Sequence, residues 1–354
     1  MIGFLSYDLA EAFALGRNKE INFPFLKENG ELLSISHAHG LMMEPRVQEL
    51  YKPVYSMAAN LVELYPQYYR FLLGIVLDLE DLGMAGTVGE EICQSVRRDN
   101  LLAFDTSDIR RLEAMHLLNR RLPLKNEEIE AKQALEERIR QFTLSADRFF
   151  KFNRPLFYDL THFVFFLTDY GRNKDTGLTN LVDCLLSVGF LSILDNDIDL
   201  LSEAMICLKY IGEPAPEYWK QFILEKQSEI KISFTERFTS SLNSAVDDYH
   251  VYFVLNWCLL TIGEPGFTTR FDSRTPSFKQ INQQDSLLCK LSMFTHDKFI
   301  NGSTSLNFED DFVASLGVDE RCRFNNAIYS TPNSLDCLNG FSNGISPLQL
   351  SGAF

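Results

Sequence analysis

The chain reads as a mostly α protein built of α/α helical-hairpin repeats, and three observations carry that expectation. From about Pro45 onward the apolar residues recur at helical spacing among strong helix formers, with few β-branched runs. The segments Met205–Pro214 and Asn256–Pro265 share the pattern C-L-x-x-I-G-E-P, with their glycines 51 residues apart. Aligning Gly171 on the same stop gives a further copy, and Glu113-Ala114-Met115 echoes Glu203-Ala204-Met205 before a helix that dies at Pro123. Internal similarity at this period is the mark of stacked helical hairpins, either an open solenoid or a closed toroid.

Residues 1–44 form an N-terminal segment. Its first sixteen residues suit a short helix, and Asn22 to Ser36 reads as a small β-hairpin turning on Asn29-Gly30. In the extended chain that follows, His37 and His39 would share a side, a pair able to chelate metal but lacking further ligands. The repeat domain spans residues 45–300. It opens with two helices broken near Pro66, the second ending at Gly83 with Asp78, Glu80 and Asp81 as a solvated acidic end. Asp105 to Asp108 caps a helix through Arg121, and residues 125–141 make a charged amphipathic helix with one solvated face. A loop from Phe267 to Pro276 leads to a helix near residues 285–299. Residues 301–354, rich in Asn, Ser and Gly, read as an irregular tail that could serve as a lid.

Composition narrows the function. With 33 basic against 48 acidic residues the 354-residue chain carries a formal charge of −15, which repels phosphate backbones, so nucleic acid is not an expected partner. Seven cysteines without a C-x-x-C pair argue for a reducing compartment. The N-terminus lacks a basic region followed by an apolar run, and no eighteen uninterrupted apolar residues occur, so the expectation is a cytoplasmic protein that does not insert in membranes. There is no G-x-G-x-x-G after a strand, no Walker A sequence, no H-E-x-x-H and no G-x-S-x-G, which removes several large enzyme classes.

The candidate site centres on Phe157 to Arg172, an apolar stretch carrying His162 and Asp169. In a helix these two lie seven positions apart and share a face. Nine positions before successive stops stand Glu113, His162, Glu203 and Val254; thirteen before stand Tyr158, Asp199 and His250. In a closed ring that face would line the central cavity. The spacing therefore nominates His162, Asp169, Glu203 and His250, either as catalytic acid/base groups or as ligands of a divalent metal ion. His162 would be base or ligand, Asp169 its orienting partner or a second ligand, with Glu203 and His250 completing the site. Phe163, Phe165, Phe166, Tyr252, Phe253 and Trp257 would wall an apolar substrate cavity, and Arg172 and Lys174 could hold an anionic substrate group.

Thr161-His162-Phe163-Val164-Phe165-Phe166-Leu167-Thr168-Asp169-Tyr170-Gly171 resembles a T-H-x-x-F-x-x-T-D-[aromatic]-G motif of an uncharacterised group of bacterial helical proteins, some associated with specialised-metabolite gene clusters. The resemblance implies a bacterial protein of that setting and supplies no activity. The expectation is thus an enzyme of small-molecule metabolism. The alternative is an α-solenoid scaffold that holds a peptide or protein partner without chemistry.

Overall fold

The computed structural model describes residues 3–18, 20–174, 176–236, 247–272, 274–281, 285–300 and 311–345. The helices are α1 (Tyr7–Glu11), α2 (Phe23–Ala38), α3 (Pro45–Leu64), α4 (Tyr69–Asp81), α5 (Val88–Arg98), α6 (Asp108–Asn119), α7 (Asn126–Phe142), α8 (Arg154–Leu167), α9 (Val182–Asp195), α10 (Ile198–Tyr210), α11 (Glu217–Ser228), α12 (Tyr249–Ile262), α13 (Leu287–Ile300), α14 (Val313–Ser315), α15 (Val318–Ser330) and α16 (Ser334–Ile345). Two strands, β1 (Ile230–Thr235) and β2 (Thr275–Gln280), pair antiparallel with Ile230 opposite Gln280 and Thr235 opposite Thr275. The mostly α expectation holds.

The chain falls into two compact units. One comprises Met1–Ile139 with Ile230–Gln280, the other Arg140–Glu229 with Ile281–Phe354. This division cuts across the three segments 1–44, 45–300 and 301–354 expected from composition.

In the first unit, α4 is the hub on which α2, α3, α5 and α6 pack. The expected N-terminal β-hairpin is instead α2. Asn22 caps it by accepting from the Phe25 N–H at 3.0 Å, and Pro24 pre-sets its first turn. Asn29, expected in the turn, is fully buried. Its Nδ2 donates to the carbonyls of Phe13 and Phe25, and its Oδ1 accepts from the Tyr51 hydroxyl. The apolar residues Phe25, Leu26, Leu32 and Leu33 recur at helical spacing and are buried, and that burial outweighs the local turn preference. Beneath the sheet, the buried Arg17 guanidinium pairs with Glu28 at 2.9 Å and Asp247 at 3.1 Å and donates to the Pro276 carbonyl, with the Phe13, Tyr249 and Phe278 rings around it.

In the second unit, α9 is the core helix. Every residue from Cys184 to Leu194 is buried, as a helix apolar all round requires. The stretch Gly177–Asp195 is long and apolar enough to cross a membrane by composition, and 72% of that window is buried inside the protein. Gly189 lets the indole of the fully buried Trp219 lie against the α9 backbone; a Cβ there would stand 2.1 Å from the ring. The C-terminal segment is not the expected irregular tail, because α15 and α16 pack on α9, α11 and α13. Buried Phe324, Ala327, Cys337, Leu338 and Phe341 supply their helical apolar face despite the polar composition around them. Residues 301–310 and 346–354 of that expectation lie outside the described residues.

The glycine stops are real but generic. After α10 and α12, Gly212 and Gly263 adopt φ of 85° and 87°, and the next N–H reaches back to the carbonyl five residues earlier, Glu213 to Leu208 at 2.9 Å and Glu264 to Leu259 at 2.8 Å. The same closure ends α2 at Gly40, α4 at Gly83 and α9 at Asn196. After α8 the equivalent residue is Asp169, with φ 47°, since Tyr170 N–H reaches Phe165 O at 2.8 Å. The register that placed Gly171 on Gly212 is therefore off by two residues.

Candidate active site between helices α8 and α10

Within the second unit, α8 and α10 pack side by side and enclose a polar seam. The Asn153 side chain caps α8 by accepting from Leu156 N–H, with Pro155 in the first turn. The Asp197 side chain caps α10 through Leu200 N–H at 3.2 Å, just after the left-handed Asn196. Residues 154, 158 and 161/162 of α8 stand one turn apart on one face, opposite Asp197, Asp199 and Glu203. Arg154 pairs with Asp197 at 2.5 Å. The Tyr158 hydroxyl donates to Asp199 Oδ2 at 2.5 Å. The Thr161 hydroxyl donates to Glu203 Oε2, and Nε2 of His162 lies 3.9 Å from Glu203 Oε1.

Burial sets the electrostatics. Asp197, Asp199 and Glu203 are only 7%, 5% and 3% exposed. Burial pushes the Asp197 carboxyl above the usual carboxylate range, against the opposing pull of Arg154 and with the help of neighbouring Asp199. Burial and the Asp199 charge raise the Tyr158 phenol far above its ordinary value, so it stays a proton donor. Cys207, whose thiol reaches the Thr161 carbonyl at 3.5 Å, is likewise pushed up by burial and by Glu203. His162, by contrast, is half-exposed, its ring set among those of Tyr158, Phe165 and Phe166. The accessible imidazole thus stands at ion-pair distance, 3.9 Å, from a buried carboxylate that Thr161 holds, longer than a hydrogen bond.

The structure brings together only part of the predicted set. His162 and Glu203 are neighbours, and Tyr158 and Asp199, noted for their spacing, join the same seam. Asp169 does not share a helical face with His162, because α8 ends at Leu167 and Asp169 turns into the left-handed region, where it pairs with Arg172 at 3.4 Å. Arg172, nominated for an anionic substrate, thus has a carboxylate of its own chain. His250 belongs to the first unit, where its Nδ1 meets Glu31 Oε2 at 2.9 Å. Glu113 also lies in the first unit and pairs with Arg70. Among the described residues no three His, Cys, Asp or Glu side chains gather as a metal site; of the expected set His162, Asp169, Glu203 and His250, the second unit brings His162 and Glu203 together.

Sequence reasoning missed Arg154, Thr161 and Asp197. The Asn196-Asp197 pair before an apolar helix was a legible stop-and-cap signal, whereas nothing local marks Thr161 as a carboxylate partner. It also misread the acidic end of α4. Asp78 is buried, receives His37 Nδ1 at 3.2 Å and Arg120 at 2.8 Å, and is held below the usual range by Arg120 and His37 although burial opposes this. His37 also reaches Asp81 at 3.3 Å, while His39 lies against Thr261, so the two imidazoles do not form a pair.

No curated protein and no solved structure matches the chain. The family described as a domain of unknown function, DUF6902, matches residues 6–336, nearly the whole chain, and the protein belongs to that family.

Proposed function

We propose that the protein is an enzyme of small-molecule metabolism whose acid–base chemistry runs in the α8–α10 seam. The observation that carries this reading is the half-exposed His162 imidazole beside the buried Glu203 carboxylate, itself fixed by Thr161. In this reading His162 exchanges the proton with substrate, Glu203 holds the ring in orientation and stabilises the imidazolium, and Thr161 fixes the carboxylate rotamer. In the same seam Tyr158 gives its single hydroxyl proton to Asp199 and so fixes that second buried carboxylate one turn away. The cytoplasm fits such a protein, because all seven cysteines are free thiols. A bacterial specialised-metabolite setting rests on the Thr161-to-Gly171 resemblance alone.

The test is turnover of a bacterial metabolite extract by purified protein, followed by mass spectrometry, with His162→Gln as control. A compound consumed by wild type and spared by folded His162→Gln supports the reading. Consumption that persists in the variant contradicts it. Extract left unchanged while the protein captures a peptide or protein partner favours the scaffold reading.

A further inference from the structure

A second feature of the same unit shares no residue with the α8–α10 seam. A cleft of about 390 Å³ opens between α11 and α15, within the size range of small-molecule sites. One wall is aromatic, with the Tyr218 and Phe222 rings 6.2 Å apart along α11. Two cations line it, Lys226 at 2% exposure and Arg323 at 7%. Lysine is rarely buried so fully unless its charge is answered. The Lys226 charge is answered by the Glu229 carboxylate at 2.8 Å and by the Phe222 ring, whose centroid lies 5.3 Å from the ammonium; of its three N–H donors, only one has an acceptor among the described residues. Arg323 gives one N–H to the Asp285 carbonyl at 2.7 Å, and burial lowers its pKa. Burial also raises the Tyr218 phenol to about 12, which keeps its hydroxyl a donor.

The lining carboxylates are placed differently. Asp285 and Glu320 are both held by Lys290, and Glu225 and Asp319 are exposed. A ligand would therefore meet buried donors beside an aromatic wall, with solvated acids around them. That pattern accepts one negative charge and repels several.

We propose that the α11–α15 cleft binds a small organic monoanion, a carboxylate carried on a flat apolar body. The carboxylate accepts from Lys226, with the positive charge of Arg323 beside it, and the body stacks on Tyr218 and Phe222.

The test is equilibrium binding by titration calorimetry of the full chain with phenylacetate, its neutral analogue phenylacetamide, and inorganic phosphate. Saturable phenylacetate binding is expected, with phenylacetamide weaker by about tenfold or more, the size of one lost charge-assisted hydrogen bond. Phosphate should not compete. Folded Lys226→Met should lose affinity for phenylacetate by a similar factor, and Lys226→Arg should restore part of it. Absence of saturable phenylacetate binding, equal affinity for phenylacetamide, or unchanged affinity in folded Lys226→Met would each overturn the proposal. If Lys226→Met does not fold, the comparison of the charged and neutral ligands on wild type decides the matter.

Discussion

Nε2 of His162 lies 3.9 Å from Oε1 of Glu203, so a half-exposed imidazole on α8 is backed by a carboxylate buried on α10. Helix packing alone does not require that pairing. An apolar α10 residue would fill the same space without the desolvation cost of a carboxylate, and a buried ionic group is weak grounds for stability. In the proposed function that carboxylate serves the exposed ring beside it.

Thr161 anchors that carboxylate from within the α8 backbone face. Thr161→Val keeps shape but removes the donor to a buried Glu203. We expect a loss of about 1–3 kcal/mol, the cost of leaving a buried polar group without its partner. Urea unfolding of wild type and variant checks this; unchanged stability would mean that the hydroxyl does not hold Glu203.

Gly189 is set by packing rather than by backbone conformation. Gly189→Ala gains about 1 kcal/mol of helix propensity but forces Trp219 or the α9 backbone to move. Overpacking should dominate, leaving a net loss of about 1–3 kcal/mol that is smaller when Gly189→Ala is made in a Trp219→Leu background, although Trp219→Leu is itself destabilising. Thermal unfolding of the single and double variants reads the coupling directly. Strict additivity would contradict the contact.

The α2–α4 cluster predicts a pH dependence. Burial opposes protonation of His37, but its hydrogen bonds to Asp78 and Asp81 prevail and raise its folded pKa. A raised pKa contributes stability that is fully present below the unfolded value of about 6.5 and is lost as pH rises through the folded value. His37→Gln should therefore destabilise the protein by about 1–2 kcal/mol near pH 6, with a smaller difference near pH 9. Denaturant midpoints at the two pH values test it, and a difference that grows with pH would refute the assignment.

The sequence made the helical class legible because apolar periodicity is a property of each segment alone. It misread α2 because Asn29-Gly30 is a strong turn signal locally, while the burial that overrides it comes from Phe13, Tyr51 and Ile75, which no local window contains. The pairing of β1 with β2 was hidden for the same reason, although Ile230-Lys231-Ile232-Ser233-Phe234 does alternate apolar and polar residues. For the site, spacing found His162 and Glu203 through an alignment whose register was two residues off. Glycine endings are common to many helices, so Gly171 was a poor anchor and Asp169, which makes the actual stop, was given to catalysis.

The most direct measurement of the central claim is a kinetic double-mutant cycle on the substrate found in the extract, with His162→Gln, Glu203→Gln and the pair together. If the two act as one unit, each single change should lower kcat by about 100-fold or more, and the double variant should lose little beyond the worse single. Wild-type kcat in folded His162→Gln, or losses that simply multiply in the double variant, would contradict an α8–α10 acid–base site.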